Sequence, residues 1–286
     1  MASGNTTSGT IQSEFMKATA QFYSVVKSLR EFDKHEVEGV VETLLATTDR
    51  EKCFIATYYR SLANVNTLLT LGDVRHFQAI AMLGRGLFEL GVDMKLLALV
   101  PGGADKMILF ADVEKLRCAR KLVAFKNSNP NAGLDSTPYS TFISREEVRI
   151  DLARNAMWSN PKKLHHWSGQ NLAQRVALVG SPFDEFYEGY YPLLSWYVHS
   201  GLTGVVNLQK EAFMTMCGIA FRLAAESYTQ ILLAVVRQFK IARGNEKIEE
   251  KLQAAKLLPF TDSPKQADEL FRALLELPEQ SLHSGR

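Results

Sequence analysis

The sequence predicts an all-α protein, built as an irregular multi-helix bundle. Apolar residues recur every three or four positions through most of its 286 residues, which is the period of amphipathic helices. Capping signals precede many of these stretches, and no stretch alternates as a half-buried strand does. No repeat of about 20–50 residues is present, which argues against a regular solenoid.

The first half of the chain predicts five helices, separated by Gly and Pro breaks. They cover residues 11–29, 37–45, 48–69, 73–100 and about 104–126. The third helix has the clearest start, because Thr48 and Glu51 match a capping box, in which each side chain binds the other residue's backbone N–H. Pro101 and the two glycines after it end the fourth helix.

The second half begins with a loop over residues 127–138. Ser144 and Glu147 match another capping box, which predicts that a sixth helix begins there. A second loop, over residues 159–170, is basic and aromatic, and a short helix then ends at Gly180. Ser181 and the proline after it begin the next helix. Pro192 ends that helix and begins another, because proline has no N–H to donate.

A long apolar helix follows, over about residues 207–242. Its segment Ala212–Val236 is long enough to cross a bilayer, but Arg222 and Glu226 near its middle would each cost about 2.5–3.5 kcal/mol there. We therefore expect a buried core helix that makes no membrane contact. Because Arg222 and Glu226 are one helical turn apart, we also expect them to form a buried pair.

These elements predict three regions along the chain. Residues 1–10 are expected to be a disordered tail, because they are small and polar. Residues 11–242 form the helical bundle domain. Residues 243–286 form a C-terminal helical extension packed on the bundle, after a break at Gly244-Asn245.

Charge and cysteine content narrow the classes of function. The 33 basic and 31 acidic residues give a net charge of +2. The overall charge therefore indicates neither a nucleic-acid partner nor a cationic one, although a local basic patch is compatible with it. Three distant cysteines without a Cys-x-x-Cys pair argue against zinc ribbons and redox motifs and suit free thiols in a reducing compartment. The N-terminus lacks the features of a signal peptide, so we expect a cytoplasmic protein.

A charged stripe on the fourth helix is the first candidate site. Arg85, Glu89 and Asp93 are spaced by four and therefore share one side of the helix. In a functional interpretation Arg85 binds an anion and Glu89 acts as an acid or base or as a metal ligand. In a structural interpretation they form an intrahelical ion pair at a seam of the bundle. Glycines interrupt this helix and indicate that something approaches its backbone closely; they are Gly84, Gly86 and Gly91.

The helix that follows Pro192 carries the second candidate face. Tyr191, Ser195 and His199 are again spaced by four and lie among apolar residues. Buried hydroxyl and imidazole groups need partners, because an unpaired polar group costs about 1–3 kcal/mol. We therefore expect this face to meet the Arg85 and Glu89 face across the bundle.

The loop after the sixth helix supplies the candidate ligand-binding residues: His165, His166, Trp167 and Ser168. A turn here can aim one histidine inward, and the indole offers a surface for stacking, although the same residues also suit an aromatic plug beneath a loop. A zinc or iron site built from one of these histidines with His199, Glu89 and Asp93 is a further interpretation. Without a His-Glu-x-x-His or Glu-x-x-His pattern, we assign no metal and no cofactor.

The Arg85/Glu89 helix, the His165–Gly169 turn and the Tyr191–His199 helix together resemble a bacterial family of all-helical proteins of unknown function. Members of that family share an Arg/Glu helix, a Trp-Ser-Gly turn and a Tyr-Ser-His helix. The resemblance covers about residues 58–236 and implies no established activity. A weaker similarity is to HEPN-type helical RNases, which cut RNA without metal, because Arg30 and His35 match their Arg-x4-6-His pattern.

Two classes of function stay open from the sequence. The first is a metal-independent hydrolase acting on RNA or a nucleotide, with Arg85 binding the phosphate, His199 as acid or base, and Tyr191 or Ser195 orienting it. The sequence has no P-loop and no Gly-x-Ser-x-Gly elbow, which argues against the common nucleotide and ester hydrolases. The second class is a non-catalytic sensing or protein-interaction module, whose polar centre is structural or binds a small ligand. The partner and the oligomeric state, including a homo-oligomer, stay open.

Overall fold

The computed structural model describes residues 6–198, 210–241 and 247–257, which form an all-helical bundle without strands. The fold class predicted from the sequence is confirmed. The helices are α1 (Thr6–Asp33), α2 (Gly39–Thr43), α3 (Asp49–Thr70), α4 (Phe77–Leu99), α5 (Gly103–Ser128), α6 (Thr137–Met157), α7 (Leu172–Val179), α8 (Phe183–Gly189), α9 (Tyr191–Val198), α10 (Lys210–Phe239) and α11 (Ile248–Leu257). A π-helical turn (Lys34–Glu38) follows α1, and 3-10 turns (Val74–His76 and Pro161–Lys163) precede α4 and follow α6.

Helices α4 and α10 form the centre of the bundle. Helix α4 also packs against α3, α7 and α9, and α10 packs against α1 and α3. The central pair is close because Gly84 has no side chain: a Cβ there would lie 2.8 Å from the carbonyl oxygen of Ala220 in α10. Gly91 similarly leaves room for the ring of Phe183. The sequence analysis expected a group to lie close to the backbone at these glycines. At Gly84 and Gly91 that group is a residue of a neighbouring helix.

In the described part of the chain, one helix, α10, has the length and composition of a membrane span. Its segment Phe213–Phe239 is long and apolar enough to cross a membrane, but 67% of its most apolar window is buried inside the fold. This burial is what a core helix requires, and length and composition alone are weak evidence for a membrane span.

Arg222 and Glu226 do not form the buried pair predicted from their spacing. Nη1 of Arg222 donates to the hydroxyl of Tyr190 at 2.9 Å, and the guanidinium lies over three aromatic rings. Those rings belong to Phe22, Phe186 and Tyr190. Glu226 instead accepts from Nζ of Lys256 in α11 at 2.7 Å, and 22% of its side chain is exposed. Each charge therefore has a partner outside α10.

Two predicted boundaries are wrong. Helix α6 begins at Thr137 rather than at Ser144, because Pro138 occupies its first turn and favours helix initiation. Ser144 lies inside the helix, and its hydroxyl donates to a backbone carbonyl of the preceding turn. Helix α1 begins at Thr6, so the predicted tail is helical from that residue onward. Residues 1–5 lie outside the described part, as do most residues of the predicted extension, of which α11 packs on α1 and α10.

A buried polar cluster joins α1, α3 and α10 at Asp33. Its carboxylate is fully buried and accepts hydrogen bonds from the hydroxyls of Tyr58 at 2.7 Å and Tyr228 at 2.5 Å. Nη1 of Arg30 lies 3.4 Å from the same carboxylate. Burial raises the pKa of Asp33 to about 6, although the two tyrosine hydrogen bonds oppose this shift. Asp33 was not among the candidates drawn from the sequence.

Candidate functional site

Arg85 and Glu89 face α9, as their spacing predicted. Nε of Arg85 donates to Oε1 of Glu89 at 3.0 Å, and the hydroxyl of Tyr191 donates to the same oxygen at 2.7 Å. The guanidinium carbon of Arg85 lies 4.9 Å from the centre of the Tyr191 ring. Burial and the hydrogen bond to Glu89 raise the pKa of the Tyr191 hydroxyl, so it is a neutral donor at physiological pH. The α4 and α9 faces therefore meet through Tyr191.

The other two members of the α9 face do not extend this contact. The hydroxyl of Ser195 donates to the backbone carbonyl of Tyr191 at 3.0 Å, which is a bond within its own helix. His199, the predicted acid or base, lies outside the described residues. Of the predicted face, Tyr191 alone is seen to contact the charged stripe in the described part of the chain.

Asp93, one turn beyond Glu89, is the centre of a second group of polar residues. Its Oδ2 lies 3.0 Å from Nε2 of His166, and its Oδ1 accepts a hydrogen bond from Nη1 of Arg175 in α7. The other ring nitrogen of His166, Nδ1, lies 2.9 Å from Oγ of Ser168. We call Asp93, His166, Ser168 and Arg175 the Asp93 cluster.

Both ring nitrogens of His166 are within hydrogen-bond distance of groups in the cluster, and the backbone N–H of Ser168 is one of them. It donates to Nδ1 at 3.2 Å, whereas Nε2 lies 3.0 Å from Oδ2 of Asp93 and also 3.0 Å from Nη1 of Arg175. The hydroxyl of Ser168 accepts from the backbone N–H of Gln170 at 3.2 Å and can donate to Nδ1. The result is a carboxylate–imidazole–hydroxyl chain, in which the carboxylate orients the ring and the ring can accept a proton.

The Asp93 cluster lies at the edge of the core. The exposed fraction of the side chain is 16% for Asp93, 15% for His166 and 7% for Arg175. Two buried donors, Nε of Arg175 and Nε1 of Trp167, have no acceptor among the described residues. Since a buried unpaired donor costs about 1–3 kcal/mol, an acceptor from water or from a ligand would stabilise this region.

The loop that carries His166 is held by the residues around it. Trp167 is buried, its ring packs beside Gly103 of α5, and its carbonyl oxygen accepts from Nε1 of Trp158 at 2.9 Å. His165 is exposed. Of the four predicted ligand-binding residues, His166 and Ser168 therefore join the Asp93 cluster, Trp167 fills the core and His165 faces solvent.

Arg175 is the member of the cluster that the sequence analysis missed. Helix α7 begins with a capping box formed by Asn171 and Gln174. Leu172, Val176 and Val179 recur at the intervals of an apolar stripe, and position 175 falls on that stripe. An arginine at a core-facing position is the signal that could have identified it, because a buried charge requires a partner.

The geometry of the described residues supports neither a metal site nor the RNase-like pattern of Arg30 and His35. Among the described residues, no three His, Cys, Asp or Glu side chains converge as a metal site requires. Arg30 binds Asn66 and Glu38, whereas Nε2 of His35 lies 3.8 Å from Glu31 in an exposed pair. The two residues of the RNase-like pattern therefore turn to different partners.

Comparison with known proteins identifies a family without an assigned activity. The model of a family of unknown function, DUF5677, matches residues 51–212, which is more than half of the chain. The matched region includes the Asp93 cluster and the Arg85–Glu89–Tyr191 contact. It agrees with the resemblance to a helical family of unknown function, whereas no similarity to HEPN-type RNases is found. No curated protein and no solved structure shows significant similarity to the chain.

Proposed function

Because the chain belongs to the DUF5677 family, whose function is unknown, we propose from its geometry that it is a metal-independent hydrolase of a phosphate-bearing substrate, RNA or a nucleotide. The observation that carries this proposal is the chain of hydrogen bonds from Asp93 through His166 to Ser168. A histidine held between a carboxylate and a hydroxyl is the arrangement that general-base catalysis uses.

His166 is the proposed general base. Its Nδ1 takes the proton of the Ser168 hydroxyl, and that hydroxyl takes a proton from an attacking water. The water oxygen forms a bond to phosphorus, and the bond from phosphorus to the leaving oxygen breaks. The proton held by the imidazolium can then pass to the leaving oxygen, so that the residue returns to its neutral form. Asp93, bonded to Nε2, stabilises the imidazolium while it carries the proton.

Arg175 is the proposed cation for the phosphate. Its Nη1 is held by Asp93, and its buried Nε has no acceptor among the described residues. Arg85, the cation proposed from sequence, lies eight residues before Asp93 in α4. At 1.5 Å per residue, the two positions are about 12 Å apart along the helix. Because Arg85 is bonded to Glu89 and stacked on Tyr191, it suits a structural role better than Arg175 does.

The test is hydrolysis of a panel of RNA oligonucleotides and nucleoside phosphates in the presence of EDTA. Replacing His166 with Gln or Asp93 with Asn should lower the rate by about 10²–10⁴-fold, the usual contribution of a general base. His199→Gln belongs in the same series, because that histidine was the base proposed from sequence.

His35→Gln is the matched control. His35 is an exposed histidine in the RNase-like pattern, so its replacement should leave the rate unchanged. Circular dichroism melting shows whether each variant is folded. A folded His166→Gln protein with the parent's activity, or a parent that hydrolyses no member of the panel, contradicts the proposal.

A non-catalytic sensing or interaction module is the second candidate, and one observation favours it. The Arg85–Glu89–Tyr191 contact is closed within the protein and joins α4 to α9, as a purely structural polar centre would. In that case His166→Gln should lower the melting temperature, and the parent should show no hydrolysis. In either case we propose a cytoplasmic location, supported by three free cysteines, Cys53, Cys118 and Cys217.

A further inference from the structure

The chain around His166 is unusually basic for a protein with balanced charges. Residues 152–183 contain no Asp or Glu, whereas the average composition of the chain would place about three or four acids there. The same stretch contains four Lys or Arg residues and two histidines. It includes the whole loop that brings His166 and Ser168 to Asp93.

Helix α5 continues this basic surface. Nη2 of Arg117 donates to the carbonyl oxygen of Leu164 at 2.9 Å, which places this part of α5 against the loop. Lys121 and Phe125 follow Arg117 at intervals of four, so all three share one side of the helix. Phe125 is 52% exposed, although a large apolar residue would normally be buried.

Most of the cations on this surface form no ion pair with a described residue. Lys162 and Lys163 in the loop and Lys121 on α5 are exposed, and none forms an ion pair with a residue that the structure describes. Arg117 is partly neutralised by Glu114, which binds its Nη1. Exposed lysines without an ion pair among the described residues, together with an exposed aromatic ring, are typical of a surface that binds a phosphate backbone and stacks its bases.

We infer that these residues form a binding surface for single-stranded RNA that leads to His166. We call the surface the basic rim; it consists of Lys162, Lys163, His165, Arg117, Lys121 and Phe125. The inference rests on the proposed function in that it selects RNA over a free nucleotide as the substrate. In this surface the lysines bind phosphates and Phe125 stacks on a base. Phe125 lies eight residues after Arg117, which is about 12 Å along α5 at 1.5 Å per residue. A mononucleotide would use only a small part of such a surface.

The test is a fluorescence anisotropy titration of the full chain with a labelled 2′-O-methyl RNA strand, which resists most ribonucleases. A Lys162→Glu/Lys163→Glu double variant should bind at least about tenfold more weakly. Its plot of log affinity against log salt concentration should be shallower by about 1.4, because each lost phosphate contact on a single strand removes about 0.7 from the slope. Phe125→Ala should bind at least about fivefold more weakly with the parent's salt slope, because stacking is not ionic.

Lys27→Glu/Lys34→Glu is the matched control, because it reverses the same number of exposed charges in α1 and the π-helical turn. It should bind within about twofold of the parent. Equal losses in both double variants, no binding of the strand by the parent, or tighter binding to vesicles of anionic lipid than to RNA would overturn the inference.

Binding and hydrolysis separate this inference from the proposed function. If the parent binds RNA through the rim but hydrolyses nothing, the rim stands and the proposed hydrolase fails. If the parent hydrolyses nucleotides and the rim variants keep the full rate and affinity, the hydrolase stands and the rim is refuted.

Discussion

Replacing Asp33 with Asn should stabilise the protein at neutral pH, although it removes a charge that two tyrosines bind. Burial raises the pKa of Asp33 from 3.8 to about 6. The folded protein therefore binds a proton at Asp33 more tightly than the unfolded chain does. Its contribution to stability is complete below about pH 3.8 and is lost as the pH rises through about 6. Asparagine resembles the protonated carboxyl group and does not titrate.

The size of the effect follows from the shift of about two pKa units. At about 1.4 kcal/mol per unit, the free energy of unfolding should fall by about 3 kcal/mol between pH 4 and pH 7 because of Asp33. The Asp33→Asn protein should not show this fall. It should match the parent near pH 4 and exceed it by up to about 3 kcal/mol at pH 7 and above.

Urea unfolding monitored by circular dichroism at several pH values measures this difference. The difference between parent and variant isolates Asp33, because all other groups titrate in both proteins. Glu31→Gln, which removes an exposed carboxylate from the same helix, should run parallel to the parent. If Asp33→Asn is less stable than the parent by the same amount at every pH, the raised pKa and the reasoning from it are wrong.

Two further comparisons concern residues of the central helices α4 and α10, each measured by urea unfolding. Gly84→Ala should lower the free energy of unfolding by about 1–3 kcal/mol, because the new Cβ would meet the backbone of Ala220. Gly86→Ala should be neutral or stabilise by up to about 1 kcal/mol, since the nearest atom to its Cβ would be 3.4 Å away. Glu226→Gln should change stability by less than about 1 kcal/mol, because the partner of Glu226 is a lysine near the surface. Arg222→Ala should cost more than Glu226→Gln, because its guanidinium packs on three aromatic rings.

The features that the sequence predicted correctly depend on neighbouring residues. The capping box of Thr48 and Glu51 forms as expected, with both side-chain-to-backbone bonds present. Pro192 lies in the first turn of α9, because its missing N–H is tolerated there. Helical spacing alone brought Arg85 and Glu89 together. The false start at Ser144 shows the limit of such patterns, since the same capping signal fits a helix that has already begun at Thr137.

The features that the sequence did not predict depend on distant residues. Asp33 is buried, and one of its two tyrosine donors, Tyr228, is 195 residues away in the sequence. His166 faces Asp93 across 73 residues, and no spacing rule connects them. Helical periodicity identifies which residues share a face, but it does not identify which face of another helix will cover them. For this reason the charged stripe and the His165–Gly169 turn were identified as candidates, whereas Arg175 in α7 was not.

The two acids of the charged stripe on α4, Glu89 and Asp93, differ in their hydrogen-bond partners. Glu89 receives both Arg85 and Tyr191, so that the acceptor and its donors are matched within the protein. Asp93 orients a histidine whose other nitrogen faces a hydroxyl, and Nε of Arg175 has no acceptor among the described residues. The acid lies on a helix held tightly against α10, whereas the histidine lies on a loop beside exposed lysines. The hydrolysis that we propose would need an orienting carboxylate, a base and a cation, and the residues that we propose for these roles meet at Asp93 rather than at Glu89.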